Sequence, residues 1–312
     1  MKIVRTILGD IPPAELGLCL PHEHLYGWPP AEFATDDLRL DSETAAIREL
    51  ERFRAAGGRA LVEMTTPDYN RSAAALERIA RASGVHIIAA TGYNKEKFSA
   101  SFLKEATVTE LARRFASEVT SGMDGTACRA GVIKAASTLN TISPLAEKLF
   151  RAAAQAHRAT GAPISTHTEA GTMALEQVAL LTGEGVPPDR VIIGHVDRRL
   201  EWDFVLAVAR TGVYIGIDQV SKAKYYPDAL RVEFIKRLMA EGHGGQILLS
   251  GDLARRSYWY SYGLGGAGFA YIPQQFAQQM RAAGLSDEAV HGLLVENPAA
   301  VLAFTPVEPS GG

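Results

Sequence analysis

The sequence has little cysteine, no long apolar run and no excess of charge of either sign. Only two of its 312 residues are cysteines, Cys19 and Cys128, which argues against a disulfide-held fold and favours free thiols. No stretch approaches the roughly 18 apolar residues of a membrane span. The apolar part of the N-terminus is also too short for a signal peptide. We therefore expect a cytoplasmic protein that does not bind membranes.

The charges nearly cancel, since 32 Lys and Arg stand against 35 Asp and Glu, a net charge of -3. With no run of like charges, nothing indicates binding to nucleic acid or to an anionic surface. What the chain does have is an ordinary globular composition, with 47% hydrophobic and 21% charged residues. No linker rich in Pro, Gly or Ser divides it, so we expect a single domain over residues 1–312.

Short apolar runs alternate with longer amphipathic segments eight times along the chain. Runs such as VHIIAATG, AGVIKAAS and RVIIGHV are apolar at nearly every position, which is typical of parallel strands covered on both faces. The segments between the runs carry helix-boundary residues: Ser42, Ser72 and Ser143 at the start, Gly57, Gly84 and Gly161 at the end. This alternation predicts an α/β protein with a (β/α)8 TIM barrel, with an open doubly wound sheet as the alternative.

Polar residues follow these apolar runs at corresponding positions. His22 and His24 end the first run, and because side chains alternate along a strand, both face the same side. The runs numbered four, five, six and eight end in Lys134, His167, His195 and Asp252. Catalytic groups of TIM barrels lie at the carboxyl ends of the strands, so we expect these side chains to meet at one rim. A buried histidine bonded to backbone explains any one of them, but not the whole set.

Lys134 needs a chemical change before it can join a metal site, because an ammonium group has no lone pair. Burial lowers the pKa of a lysine and leaves a nucleophilic amine. Reaction of that amine with carbon dioxide gives a carbamate, whose two oxygens can bridge two cations as a carboxylate does.

The motifs HEHL, GVIKAAS, STHTEAG, IIGHVD and SGD together resemble those of the phosphotriesterase family of the amidohydrolase superfamily. The resemblance extends from Leu18 to the C-terminal segment NPAAVLAF. It implies two divalent metal ions, the more buried one held by His22, His24 and Asp252. His167 and His195 would hold the more exposed ion, and carbamylated Lys134 would bridge the two. Zinc is the expected metal, with manganese or cobalt as alternatives, and a homodimer is common in the family.

A metal-dependent hydrolytic mechanism follows from such a site. Two cations that share a water lower its pKa enough to supply hydroxide at neutral pH. We expect this metal-bridging hydroxide to attack a carbonyl carbon or a phosphorus. Asp252 is the expected catalytic group, which accepts the proton and passes it toward the leaving group.

Basic and aromatic residues gather on the loops after the seventh and eighth runs, which read SKAKYY (221–226) and DLARRSY (252–258). Barrel phosphate sites often form from these two loops, where Arg clamps a phosphate and Lys adds charge. The alternative is a solvated basic rim, paired with Asp218 or Asp228.

Three of these loop residues resemble the phosphate-contacting residues of the phosphofuranose lactonase branch of the family: Lys224, Arg255 and Tyr258. Lys222 on the same loop and Tyr93 after the third run are further candidates for substrate contact, with packing under the loop as the alternative role of Tyr93. The small-molecule substrate implied by this resemblance is a phosphorylated sugar 1,4-lactone.

The leading prediction is thus a lactonase that opens the ring of a phosphorylated sugar lactone. The main alternative is an acyl-homoserine lactone lactonase with promiscuous phosphotriesterase activity, which uses the same metals with an apolar pocket. A deaminase with one metal and a non-catalytic metal-binding barrel are further hypotheses. The segment GLGGAG (263–268) fits G-x-G-x-x-G, but it does not directly follow a strand, so we expect a lid rather than a dinucleotide site.

Overall fold

Eight parallel strands form the centre of the fold in the computed structural model, which describes residues 1–307. An antiparallel hairpin of β1 (Val4–Thr6) and β2 (Gly9–Ile11) precedes them. The parallel strands then pair in sequence order, each with the next. They are β3 (Leu18–Glu23), β4 (Gly58–Glu63), β5 (His86–Gly92), β6 (Ala130–Ala136), β7 (Ile164–His167), β8 (Val191–Ile193), β9 (Tyr214–Ile217) and β10 (Ile247–Leu249). This order is that of a (β/α)8 barrel, so the predicted fold class is confirmed.

Helices follow the strands and cover the outside of the sheet. The longer ones are α1 (Glu43–Ala55), α2 (Ala73–Ser83), α3 (Glu96–Glu105), α4 (Val108–Thr120), α5 (Pro144–Thr160), α6 (Ala174–Gly183), α7 (Trp202–Arg210) and α8 (Asp228–Ala240). Three short helices complete the chain: α9 (Ala277–Ala282), α10 (Asp287–His291) and α11 (Asn297–Leu302). Within residues 1–307, no helix combines the length and the apolar character that crossing a membrane requires.

The predicted helix boundaries have the expected caps. Ser42, Ser72 and Ser143 each accept a hydrogen bond from the backbone N–H three residues later. Gly84 and Gly161 end α2 and α5 in the left-handed conformation, with φ of 67° and 79°. These caps satisfy backbone groups that a helix end leaves unpaired.

The seam between the first and last barrel strands is closed largely by a side chain. Glu23, at the end of β3, accepts hydrogen bonds from the backbone N–H groups of Gly251 (2.6 Å) and Leu253 (2.8 Å). The hydroxyl of Ser250 lies 2.8 Å from the same carboxylate. Contacts of the Ser250 hydroxyl with the backbone N–H (3.1 Å) and carbonyl (2.9 Å) of His22 also cross the seam, as does a backbone bond from Asp252 N–H to the carbonyl of His22 (3.1 Å). The buried carboxylate thus fixes β3 against the segment that follows β10.

The glycine-rich segment 263–268 lies outside the mouth of the barrel. The buried carboxylate of Glu49, on α1, accepts hydrogen bonds from Ser261 N–H (2.8 Å) and Phe269 N–H (3.1 Å), one at each side of the segment. A helical turn, Ile272–Phe276, begins four residues after the segment. In the described chain, no residue of 263–268 lines the cavity at the barrel mouth, and a lid over that cavity is not supported. The single-domain span 1–312 stays a prediction, and its last five residues lie outside the described range.

Replacing Glu23 by Gln should destabilise the barrel at its seam. The amide NH2 group cannot accept a hydrogen bond, so one buried N–H donor loses its partner, at a cost of about 1–3 kcal/mol. Equilibrium urea denaturation should show this loss as a lower midpoint. The matched control Glu51→Gln, on the exposed face of α1, should leave the midpoint unchanged. Equal midpoints for both variants would contradict the assigned role of Glu23.

Candidate active site

The predicted ligands converge at the carboxyl end of the barrel, around a cavity of about 270 Å³. The imidazole centroids of His22 and His195 are 4.7 Å apart, and those of His167 and His195 are 4.5 Å apart. His24 Nε2 lies 3.4 Å from Asp252 Oδ1. All six line this cavity: His22, His24, Lys134, His167, His195 and Asp252. The structure therefore brings together the whole set that strand position predicted.

His22 is the side chain whose environment most clearly fits a metal ligand. Both its ring nitrogens are buried, and neither has a hydrogen-bond partner within residues 1–307. Burial lowers the pKa of His22 well below its ordinary value, so the ring is neutral and keeps a lone pair. A buried polar group without a partner is costly, and a bound cation would remove that cost. The donor set fits a divalent metal.

Two groups of donors surround His22 with ligand atoms within 4.8 Å of one another. One contains His24 and Asp252, as expected from the sequence. The other contains His195 and Asp218. Thr65 Oγ1 contacts His24 Nδ1 at 2.8 Å and leaves Nε2 facing Asp252.

Asp218, which follows β9, orients His195. Its Oδ1 lies 2.7 Å from His195 Nδ1, and this contact turns Nε2 toward His167 Nδ1, 2.8 Å away. Burial acts to lower the pKa of His195, but the charge and hydrogen bond of Asp218 raise it overall. A carboxylate behind a histidine in this way fixes the ring and strengthens it as a ligand. The sequence reasoning considered Asp218 only as a partner for rim cations and missed this role.

Glu169 plays the corresponding part for His167. Its carboxylate lies 3.4 Å from His167 Nε2 and 2.6 Å from Lys95 Nζ. Burial lowers the pKa of His167 to about 3, so the ring is neutral, with Nε2–H toward Glu169 and Nδ1 toward the ligand cluster. The hydrogen bond with His167 and the charge of Lys95 lower the pKa of Glu169.

Lys134 is completely enclosed, with 1% of its surface exposed. Its ammonium donates to the carbonyl of Met64 at 2.8 Å. Desolvation lowers the pKa of Lys134 to about 8, so a usable fraction is free amine at neutral pH. Gly92 lets β5 approach closely, because a Cβ there would lie 2.0 Å from the Lys134 carbonyl oxygen. Burial thus leaves Lys134 partly as a nucleophilic amine.

Asp252 is held from two sides. Its Oδ1 faces His24, whereas Oδ2 accepts hydrogen bonds from Gln219 Nε2 (3.0 Å) and Lys222 Nζ (3.2 Å). Burial acts to raise the pKa of Asp252, but Lys222 and the nearby imidazoles lower it well below its ordinary value. The residue also has a left-handed φ of 46°, a strained conformation of the kind found at functional sites.

Lys222 is buried more deeply than a substrate-contacting residue on a rim would be. In addition to its contact with Oδ2 of Asp252, its ammonium donates to Gln219 Oε1 (2.9 Å) and to the Asp252 carbonyl (2.6 Å). It lines the cavity, but these three contacts fit a group that positions Asp252 better than one that binds substrate.

Two of the three expected phosphate-binding residues, Arg255 and Tyr258, line the cavity. Lys224 is not among the described residues that line it, but its Nζ donates to the Tyr258 hydroxyl. Asp37 holds Arg255 Nη1 at 3.1 Å and leaves its other N–H groups for a ligand. In the described residues, Asp218 pairs with His195 and Asp228 with Arg231 rather than with Lys224 or Arg255. These two aspartates are therefore not the partners of a solvated basic rim.

Tyr93 is a further predicted contact residue that does not line the described cavity. It is 1% exposed, its ring packs against Phe102 and Phe115, and its hydroxyl bonds to Arg114. It is absent from the cavity lining of the described chain, because the strand ends with its side chain turned toward the helices. The expectation that Tyr93 contacts substrate is therefore corrected. Tyr69, which the sequence reasoning missed, lines the cavity instead.

The sequence profile of the phosphotriesterase family matches residues 2–302. The chain belongs to this family. A phospho-furanose lactonase of Mycoplasmopsis synoviae is 35% identical over 97% of this chain and 92% of that protein. Membership makes the chain a hydrolase of a metal-dependent family.

Two solved structures are close to it in fold. A lactonase from Listeria monocytogenes superposes with a TM-score of 0.94 and 34% identity, over 97% of this chain and 99% of that one. The phosphotriesterase homology protein from Escherichia coli, complexed with phosphate in its active site, has a TM-score of 0.89 and 36% identity. That alignment covers 92% of this chain and 99% of the other.

Replacing Glu169 by Gln should weaken one metal position. The change keeps the size of the side chain but removes the charge behind His167, and such carboxylates typically contribute about 10–100-fold in metal affinity. Competition with a chelator, followed by elemental analysis, should show metal released more easily than from the wild-type protein. Glu176→Gln on the exposed face of α6 is the control. Retention of metal at wild-type affinity would argue against this role of Glu169.

Proposed function

We propose that this protein is a metal-dependent lactonase that opens the ring of a phosphorylated sugar 1,4-lactone. One observation carries the proposal: Arg255 and Tyr258 line the same cavity as the metal-ligand cluster, and Lys224 donates a hydrogen bond to the Tyr258 hydroxyl from behind. A phosphate held by these groups would leave the rest of a small molecule beside that cluster. The lactonase relatives, and the phosphate in the E. coli neighbour, support the assignment.

The proposed ligand set is the one that the resemblance implied. His22, His24 and Asp252 would hold one divalent ion, and His167 and His195 the other. Carbamylated Lys134 would join the two, and zinc, manganese or cobalt would suit the mixture of nitrogen and oxygen donors. When bound, such a pair of ions acidifies water and polarises a carbonyl group.

The residues of the chain then have separate tasks in ring opening. Arg255, Lys224 and Tyr258 bind the phosphate and thereby orient the lactone. Asp252 accepts the proton of the attacking water and returns it to the leaving ring oxygen. Lys222 and Gln219 hold Oδ2 of that carboxylate in position, so that the other oxygen faces the imidazoles.

An acyl-homoserine lactone is the alternative substrate, and the charge of the cavity wall disfavours it. An acyl chain needs an apolar groove, whereas the wall contains the cations Lys95, Lys97, Arg198, Lys222 and Arg255. Lys95, Lys222 and Arg255 have carboxylate partners, whereas Lys97 and Arg198 have none among the described residues. An alkyl chain packed against those two cations would desolvate them without a partner.

Replacing Arg255 by Met should raise the KM for a phosphorylated pentono-1,4-lactone by about tenfold or more, because a charge-assisted hydrogen bond is worth about 1.5–3 kcal/mol. Its effect on the dephosphorylated lactone should be small. Arg256→Met is a matched control, since Arg256 bonds instead to Asp41 and the Arg39 carbonyl and does not line the described cavity. Unchanged KM values for Arg255→Met would remove the phosphate assignment.

Replacing Lys134 by Ala should abolish activity and lower metal content, since the bridging group is lost. A small added carboxylate, such as formate or propionate, should restore part of both, because it fills the space with two oxygen ligands. Steady-state assays and elemental analysis in parallel test this. If activity persists without any added carboxylate, the proposed bridging role is wrong.

A further inference from the structure

Tyr69 stands in a tight turn that follows β4, where the chain reads Thr66-Pro67-Asp68-Tyr69. The turn is fixed by a bond from Tyr69 N–H to the Thr66 carbonyl (2.8 Å) and by one from Trp28 N–H to the Tyr69 carbonyl (3.0 Å). Gly27 permits this approach, since a Cβ there would lie 2.6 Å from the Tyr69 carbonyl oxygen. The backbone of Tyr69 is thus held against the segment that follows His24.

The ring of Tyr69 is fixed as firmly as its backbone. It packs edge to face against Phe98, with ring centroids 5.3 Å apart, and its centroid lies 6.4 Å from that of His24. Only 9% of the residue is exposed, and that remainder belongs to the wall of the active-site cavity. The side chain therefore has little freedom to turn its hydroxyl away.

The Tyr69 hydroxyl has no hydrogen-bond partner among the residues that the structure describes, unlike that of Tyr93, which is bonded to Arg114. Buried tyrosines normally bond their hydroxyl, so one that opens into a ligand cavity without a partner indicates a ligand contact. Burial raises the pKa of Tyr69 to about 12, with Arg255 acting against the rise and Asp252 adding to it. The Tyr69 hydroxyl is consequently protonated at neutral pH and can donate a hydrogen bond. It lies close enough to Asp252 and Arg255 for both charges to act on it.

We propose that Tyr69 is a further catalytic residue, whose hydroxyl donates a hydrogen bond to the ring oxygen that leaves when the lactone opens. The inference rests on the proposed function, which places the reacting carbonyl beside Asp252 and the phosphate beside Arg255. In a 5-phosphorylated 1,4-lactone the ring oxygen O4 lies on the chain of atoms between those two groups. Tyr69 lines the same cavity as both.

The reaction balances with Tyr69 keeping its own proton. Water adds to the carbonyl carbon C1 and gives one proton to Asp252. The C1–O4 bond breaks with its electron pair going to O4, and Asp252 returns its proton to that oxygen. The carboxylic acid so formed loses its remaining proton to solvent.

The Tyr69 hydrogen bond strengthens as negative charge develops on O4, because an ester ring oxygen is a poor acceptor and an alkoxide a strong one. Interactions that strengthen in the transition state raise kcat rather than lower KM.

The test compares Tyr69→Phe with wild type and with Tyr93→Phe, a control that removes a hydroxyl outside the cavity. All three are loaded with the same metal and checked for metal content and melting temperature. Substrates are 5-phosphorylated pentono-1,4-lactones, an acyl-homoserine lactone and diethyl 4-nitrophenyl phosphate, whose phenolate leaves without needing a proton. Calorimetric titration with the ring-opened pentonate 5-phosphate gives a measurement that needs no turnover.

For Tyr69→Phe we expect kcat on the lactones to fall about tenfold or more, with KM within about twofold. Hydrolysis of the phosphotriester should be unchanged, and the ring-opened product, whose O4 is now a hydroxyl, should bind about threefold more weakly. Tyr93→Phe should match wild type in the three activities and in affinity for the product.

Other outcomes overturn the inference or separate it from the proposed function. Wild-type kcat on lactones would exclude the role, and so would a raised KM with unchanged kcat, which indicates a ground-state contact only. Turnover of acyl lactones alone would overturn the proposed substrate but still test Tyr69, because their leaving oxygen is also an alkoxide. If no substrate is turned over, the titration decides, and equal affinity of the two proteins for the product would overturn the inference.

Discussion

The closed seam between the first and last barrel strands is the constraint on which the rest of the molecule depends. His22 and His24 belong to one side of that seam and Asp252 to the other, so the candidate metal site straddles the place where the barrel shuts. Closure relies on the buried carboxylate of Glu23, which bonds to the backbone on both sides of Asp252. Side chains alternate along a strand, so Glu23 points away from His22 and His24. Two successive residues, His22 and Glu23, therefore supply a candidate metal ligand and the hydrogen bonds that position Asp252 across the seam.

Burial of the ionisable side chains is the second determinant of the chemistry of the site. Burial keeps His22, His24 and His167 neutral and lowers the pKa of Lys134, so the fold prepares these bases for cations rather than for protons. Carboxylates behind the rings, Asp218 and Glu169, then determine which nitrogen faces inward. The same environment would strengthen every electrostatic contact made with a substrate.

The sequence predicted the barrel from the regular spacing of the apolar runs. It predicted the six clustered side chains from the rule that the functional groups of a barrel lie at the carboxyl ends of its strands. It did not separate Tyr93 from Tyr69. Tyr93 directly follows a strand, yet it turns toward α3 and α4, whereas Tyr69 reaches the cavity from a turn whose path depends on Gly27. Gln219 also escaped notice, and the role of Asp218 behind His195 was missed, although Asp218 follows β9 and the same rule applied to that strand would have placed it at the site. Side-chain direction beyond a strand end depends on packing between distant segments, which periodicity does not encode.

The glycine-rich segment 263–268 determines where this barrel can tolerate changes in loop length and sequence. Its two ends are fastened to Glu49 on α1, and its tip is exposed at Leu264. Gly266 lies against the backbone of Tyr258, where a Cβ would approach to 2.2 Å, and Gly268 N–H donates to the Tyr258 carbonyl (3.0 Å). Only the tip around Leu264 can therefore change in length or sequence without moving a residue that lines the cavity. That tip is where related chains can differ, and where an engineer can insert a reporter or an affinity tag, while the reacting end of the barrel stays as it is.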